Sequence, residues 1–156
     1  GEPAAPNEVG ELVLRGPSLC SGYFGDAEAS AQSIDADGWF HTGDLFRSDD
    51  DGFYYFVGRK DDIIKSRGEK VAPKEIENVL HALPGVVAAA VVGVPDPIMG
   101  EAVKAFVVVE GAALTENEVL AHCRRHLEDF MVPKFVEFRT ELPTTASGKI
   151  KKTGLA

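Results

Sequence analysis

Cysteine, tryptophan and long apolar runs are all scarce in this 156-residue chain. The two cysteines, Cys20 and Cys123, are far apart and form neither a CxxC pair nor a zinc-ligand spacing, which excludes a disulfide framework. They read as two reduced thiols, in keeping with a cytoplasmic protein. No run approaches the roughly 18 apolar residues of a membrane span, so no transmembrane segment is expected, and no stretch resembles a signal peptide. A nucleophile elbow, a dinucleotide fingerprint and a metal-ligand spacing are missing as well. Ser147–Gly148–Lys149 ends like a phosphate loop, but the upstream glycine is absent and Ile150 stands where Ser or Thr is required. His41, His81, His122 and His126 form no metal set, and His122 with His126, one helical turn apart, read as a solvated pair.

What is present is an ordinary folded composition, 44% hydrophobic and 26% charged, with a net charge of -9. The charge is uneven: residues 1–60 hold eleven acidic against four basic side chains, and residues 61–156 fourteen against twelve. A nucleic-acid surface demands a larger positive field, so no nucleic-acid partner is expected. Lys65, Arg67, Lys70, Lys74, Lys149, Lys151 and Lys152 are local basic groups in an acidic chain, which suits a small polyanion.

The apolar pattern divides near Gly58–Asp62. Residues 7–15 alternate as a strand, ended by Gly16–Pro17, and Asp26 heads a short helix as its N-cap. Two similar units, Asp35–Ala36–Asp37–Gly38–Trp39–Phe40 and Asp49–Asp50–Asp51–Gly52–Phe53–Tyr54, place Asp-Gly before aromatic β-formers and read as hairpin turns; the further ligands of a calcium loop are missing. Asp62–Val71 reads as a hairpin with a polar loop. Pro73 opens a helix with Ile76, Val79, Leu80 and Leu83 inward, and Lys74, Glu75, Glu77 and Asn78 toward water. Strands follow at Val86–Val94, ended by Pro95, and at Ala102–Val109. Thr115 and Glu118 form a capping box before Val119, Leu120, Cys123 and Leu127, and Phe135–Phe138 is a short strand. The order β-β-α-β-β-α-β from residue 62 predicts an α+β fold, two amphipathic helices packed on a small sheet, preceded by a mainly-β subdomain.

Two features look less like packing: the polar turn Thr42–Gly43–Asp44 after an aromatic strand, and Ser147–Gly148–Lys149, which puts a lysine on a flexible terminal loop. A neighbouring glycine lets backbone N–H groups approach an anion. The stretches at 42–44, GRKDDIIKSRGEKV from Gly58 to Val71, and PTTASGK from Pro143 to Lys149 together resemble three signature motifs of the adenylate-forming superfamily of acyl-CoA synthetases and related AMP-binding enzymes. Gly10–Glu11–Leu12, Gly38–Trp39–Phe40–His41, Val94–Pro95–Asp96 and Gly100–Glu101 add to the resemblance, which covers nearly the whole chain in order.

The resemblance implies an ATP-dependent ligase in which a carboxylic acid substrate attacks the α-phosphate of MgATP to give an acyl-adenylate and pyrophosphate. A thiol then displaces AMP, either coenzyme A or the phosphopantetheine of a carrier protein. It implies that residues 1–60 are the last β-rich subdomain of a large N-terminal domain, and that 61–156 are a small mobile domain that swings between the two steps. Asp44 would bind the ribose hydroxyls, assisted by Arg59. Asp61 would be the hinge, Gly68 would let the pantetheine arm pass, and Lys65 and Lys70 would approach the phosphate or the reacting carboxyl group. Lys149 would be the catalytic lysine of adenylation and a target for a regulatory lysine acetyltransferase. No metal ligand is expected in this chain, because the Mg2+ ligands, the main ATP loop and the acyl pocket belong to the upstream part of such enzymes. The chain by itself is therefore expected to be inactive. A nonribosomal-peptide-synthetase-like domain loading a carrier protein and a non-catalytic binding fragment are the alternatives.

Overall fold

A computed structural model describes residues 2–111 and 114–155, so the first and last positions of the two expected domains lie outside the described residues. The chain divides into two compact units, Gly1–Asp61 and Asp62–Ala156.

The first unit is a three-stranded antiparallel sheet in the order β1-β2-β3, with β1 at Val9–Leu14, β2 at Phe40–Ser48 and β3 at Tyr54–Arg59. A register shift between Glu11 and Val13 interrupts the simple alternation of β1. Between β1 and β2 lies the helix α1, Ala27–Ser33, whose N-cap Asp26 accepts the Ala29 N–H at 2.9 Å. The two Asp-Gly units are built alike. In each, the aspartate N–H donates to the aromatic carbonyl four residues on, and its Oδ1 accepts N–H groups two and four residues on. Only the second turns one paired strand into the next; the first delivers the chain to β2 through a single Ile34–Phe40 bridge.

The second unit runs β4 (Ile64–Ser66), β5 (Glu69–Val71), α2 (Pro73–His81), β6 (Val86–Asp96), β7 (Gly100–Val109), α3 (Glu116–His126) and β8 (Phe135–Arg139). Its sheet has the order β5-β4-β7-β6, with β8 added parallel to β7. Side chains alternate across it. Ala89, Val91, Val103, Ala105 and Val107 meet Ile76 and Leu80 of α2 and Val119 and Cys123 of α3 on one face. Ala90, Val92 and Phe106 point the other way, onto Leu142, Ile150 and Leu155 of the C-terminal tail. Coverage of both faces is why Val86–Val92 reads as an unbroken apolar run. The Thr115 capping box is formed with both of its hydrogen bonds.

Four expectations are corrected. The strand does not stop at Pro95 but continues to Asp96; β6 is the outer strand, so the missing N–H interrupts no ladder. Glu77 is not on a solvated face: it is 7% exposed and bonded to the sheet. His122 is buried, with Nε2 2.9 Å from the Val79 carbonyl, and thereby ties α3 to α2. The terminal segment is not a loose loop, because Leu142, Ile150 and Leu155 form one side of a core cluster.

Candidate functional site

Thr42, Gly43 and Asp44 are not a turn after a strand, as the sequence suggested, but lie within β2, where pairing with β1 and β3 on either side holds the segment in the sheet, and Asp44 stands opposite Arg59 of β3. Arg59 Nη1 donates to Asp44 Oδ1 at 2.7 Å and to the Thr42 carbonyl at 3.0 Å. Thr42 Oγ1 donates to the Leu12 carbonyl at 2.7 Å and accepts the Asp44 N–H at 3.1 Å. Gly43 holds φ +69°, and a Cβ there would lie 3.1 Å from Arg59 Nη2, so glycine permits both the backbone turn and the close guanidinium. The result is a half-exposed carboxylate aimed by a cation and by the backbone around it.

Sequence reasoning gave no role to the residues behind this corner. Glu11 accepts the Gly43 N–H at 3.2 Å on one oxygen; its other oxygen takes Lys60 Nζ at 2.9 Å and lies 3.4 Å from His41 Nδ1. The Lys60 hydrogen bond is the main cause holding the Glu11 carboxyl below its usual range, and the same bond raises Lys60. The available signal was Gly10–Glu11–Leu12, an acid in the middle of an apolar strand.

Asp61 lies exposed in a single 3₁₀ turn, Lys60–Asp62, and the division between the units falls directly after it. Next comes the β4–β5 hairpin. Arg67 (φ +54°) and Gly68 (φ +85°) are consecutive left-handed residues, the condition of the tight turn that matches strand twist. Nothing lies within 4 Å of a Cβ placed at Gly68, so the backbone needs the glycine while the space beside it is open. Lys65 and Lys70 stand directly opposite each other on the paired strands, both exposed. Like charges in that relation repel, and a bound anion would relieve the repulsion. The hairpin is braced from behind: Lys65 N–H donates to Glu101 Oε2 at 2.7 Å and Arg67 N–H to the Met99 carbonyl at 3.0 Å. A groove of about 330 Å³ opens at this turn, with Ser66, Arg67, Arg124 and Lys134 in its wall.

Lys149 sits on a closed turn of the tail. Thr145 N–H donates to the Lys149 carbonyl at 2.8 Å, Gly148 N–H to the Thr145 carbonyl at 2.9 Å, and Lys149 N–H to Thr145 Oγ1 at 3.2 Å. Gly148, at φ +80°, makes the turn. Ile150 packs inward while Lys149 and Lys151 are exposed, and no side-chain partner of Lys149 occurs among the described residues. The structure thus brings Asp44 to Arg59 and sets Lys65 opposite Lys70, with Lys149 on a turn of its own. Among the described residues no three metal-ligating side chains come together.

The first unit thus carries the polar β2 corner, and the second, an α+β unit, carries the cationic hairpin and the lysine-bearing tail. Residues 75–149 match the family model of the AMP-binding enzyme C-terminal domain, and this stretch of the chain belongs to that family. It is 50% identical over 153 residues to a feruloyl-CoA synthase of Amycolatopsis, covering 97% of this chain and 31% of that protein. It is 48% identical over 151 residues to a long-chain-fatty-acid–CoA ligase of Salmonella typhimurium, covering 97% of this chain and 27% of the relative. The crystal structure of ATP-bound MatB from Rhodopseudomonas palustris superimposes with a TM-score of 0.90 at 37% identity, over 97% of this chain and 30% of that one. The chain therefore spans about a third of the length of the relatives it matches.

Proposed function

We propose that this chain is the C-terminal part of an acyl-CoA synthetase, an AMP-forming ligase that joins a carboxylic acid to coenzyme A at the expense of ATP. The observation that carries the reading is the 50% identity to a CoA synthase across 97% of the chain. In this reading residues 1–60 end the large N-terminal domain, 61–156 form the small mobile domain, and Asp61 is the hinge between them. The Asp44 carboxylate, with two acceptor oxygens and no donor, accepts hydrogen bonds from the ribose diol of the nucleotide while Arg59 holds it in place. When MgATP is bound, the nucleotide supplies the leaving pyrophosphate.

Adenylation requires a carboxylate to approach a triphosphate and builds negative charge at the α-phosphorus. Lys149, a compact charge on a long stem at the tip of a closed turn, offsets that repulsion most in the transition state. For thioester formation the β4–β5 hairpin replaces it. The open space at Gly68 passes the pantetheine arm, and Lys65 and Lys70 offer paired positive charge to phosphate or carboxyl oxygens. Two half-reactions at one carbon need different groups, and a hinge supplies both. The exposed Lys149 is also the natural target of a lysine acetyltransferase, since acetylation cancels the charge that adenylation uses. A cytoplasmic location fits the two unpaired cysteines, and no helix among the described residues is long and apolar enough to cross a membrane.

The test is to express this sequence in its full-length chain and measure acid-dependent pyrophosphate release with a panel of acids, then AMP release with coenzyme A or a carrier protein as acceptor. Pyrophosphate release followed by coenzyme A consumption is the expected result. Release of AMP only with the carrier protein moves the chain to the carrier-loading class, and no acid-dependent release at all removes the ligase reading.

A further inference from the structure

Lys152 stands three positions beyond Lys149, and its side chain leaves the surface. Its Nζ lies 2.7 Å from Glu77 Oε1 and 3.9 Å from Asp62 Oδ2, and the side chain is 24% exposed. Glu77 sits in the middle of α2 at 7% exposure, and the same Oε1 accepts the Val91 N–H at 3.0 Å. Because β6 is the last strand of its sheet, backbone groups on its free side need an acceptor from elsewhere, and Glu77 provides one for Val91. A buried carboxylate is costly unless it is both hydrogen-bonded and paired with opposite charge. Val91 supplies the first condition and Lys152 the second.

The consequence falls on the tail. Ile150 and Leu155 are sunk into the core cluster on the sheet's second face, and Lys152, between them, is fixed to α2 by the ion pair. The Leu155 N–H returns to the Lys152 carbonyl at 3.0 Å, and Thr144 bridges Ile150 at the other end. The turn that presents Lys149 is therefore tied to the domain by apolar contacts, which tolerate sliding, and by the directional charge contacts of Lys152, the shorter of them to Glu77, which do not. Well-packed apolar residues often match a buried ion pair in stability, and register is among the best-attested reasons to keep such a pair.

We propose that Lys152 is a positioning residue for adenylation: its ion pair with buried Glu77 latches the C-terminal tail in the register that holds Lys149 at the reacting phosphate. This rests on the reading of Lys149 as the adenylation lysine. A catalytic cation displaced by about 1 Å loses on the order of 10²-fold in rate, so a latch of this kind acts on turnover rather than on nucleotide affinity.

The experiment uses the full-length enzyme with Lys152→Met, Lys152→Arg, the double variant Glu77→Gln/Lys152→Met, and Lys149→Ala beside them. Adenylation kcat and ATP KM, thioester formation from supplied acyl-adenylate, and backbone amide exchange across residues 145–151 are measured for each. Lys152→Met is expected to lower adenylation kcat by about 10- to 10²-fold with ATP KM nearly unchanged, and to speed exchange of the Lys149 and Lys151 amides. Thioester formation should survive, and Lys152→Arg, which keeps the charge, should restore both readouts. The double variant strands no buried charge and should melt near the parent temperature while keeping the adenylation defect. The latch is overturned by a parent adenylation rate with unchanged exchange, by equal loss of both half-reactions in the double variant, or by failure of Lys152→Arg to recover. If Lys149→Ala adenylates at the parent rate, the catalytic reading of Lys149 falls. The exchange data then still decide whether Lys152 holds the tail.

Discussion

The two units of this chain are built on opposite terms. Among the described residues every fully buried hydrophobic side chain, from Ile64 to Leu155, belongs to the second unit. The first leaves Val9, Phe24, Phe53, Tyr54, Tyr55 and Phe56 exposed. The reason is the number of covering layers. The second unit has helices on one face of its sheet and its own tail on the other, whereas the first has three strands and one helix of seven residues. Its order comes instead from polar closure, the Thr42–Asp44–Arg59 and Glu11–Lys60 contacts and the two Asp-anchored turns. The capacity to bury a core is therefore unequal between the two units.

Core deletion should give the widest contrast. Phe106→Ala, at a fully buried position, should cost the second unit about 3–5 kcal/mol, whereas Phe56→Ala, half exposed and edge-on to Phe46, should cost the first about 1 kcal/mol. Melting curves read both losses, and thiol labelling at Cys123 reads the second unit independently. Burial pushes the Cys123 thiol up to about 11, so it should react only when the second unit opens, while exposed Cys20 reacts in the native protein. Similar losses from the two substitutions would erase the distinction between the units.

The site predictions sharpen the comparison in functional terms. In the full-length enzyme Lys149→Ala, in the second unit, should reduce adenylation by about 10²-fold or more, yet spare thioester formation from supplied acyl-adenylate. Single-turnover assays of each half-reaction check it, and a parent adenylation rate removes Lys149 from the mechanism. Asp44→Ala, in the first unit, should act on binding: ATP KM rises, with a loss of about 1.5–3 kcal/mol, as for a hydrogen bond to a charged group. Unchanged ATP dependence would reduce Asp44 to a structural partner of Arg59.

The smallest effect is on acid stability. The Lys134 hydrogen bond, with the N–H groups of Met99 and Ile98, holds the Asp96 carboxyl down from 3.8 to about 2. A depressed folded-state value means that this contribution is complete above the unfolded value near 3.8 and is lost as pH falls toward 2. Melting of the second unit should therefore weaken through that window, and Asp96→Asn should flatten the dependence. A variant that keeps the parent's acid profile would assign the loss to other carboxylates.

Features that depend on neighbouring residues are legible in the linear chain. The Thr115–Glu118 capping box, the N-cap at Asp26, the hairpin turn at Asp49–Phe53 and the strand–helix order all arise from contacts within a few positions, and each forms as the local pattern predicts. The stretches at 42–44, 58–71 and 143–149 are legible differently, through their resemblance to the motifs of a known family. Gly68 and Gly148 hold backbone conformations that L side chains rarely adopt, and such glycines show in a linear text, whereas the left-handed Arg67 does not.

The sequence by itself therefore determined the α+β order of elements and the local turns, because hydrophobic period, capping and glycine placement act over one or two helical turns. Only the tertiary structure decided which polar side chains leave the surface. Helical spacing put Glu77 toward water and His122 in a solvated pair, but the free side of β6 required an acceptor at Val91, and the α2–α3 contact brought the Val79 carbonyl to His122. Pro95 stays within a strand because that strand is outermost, and the tail is ordered because Phe106 and Val92 present an uncovered face to Ile150 and Leu155. Each of these outcomes was set by a group distant in sequence, and burial makes any unmet hydrogen bond or charge expensive enough to override the local pattern.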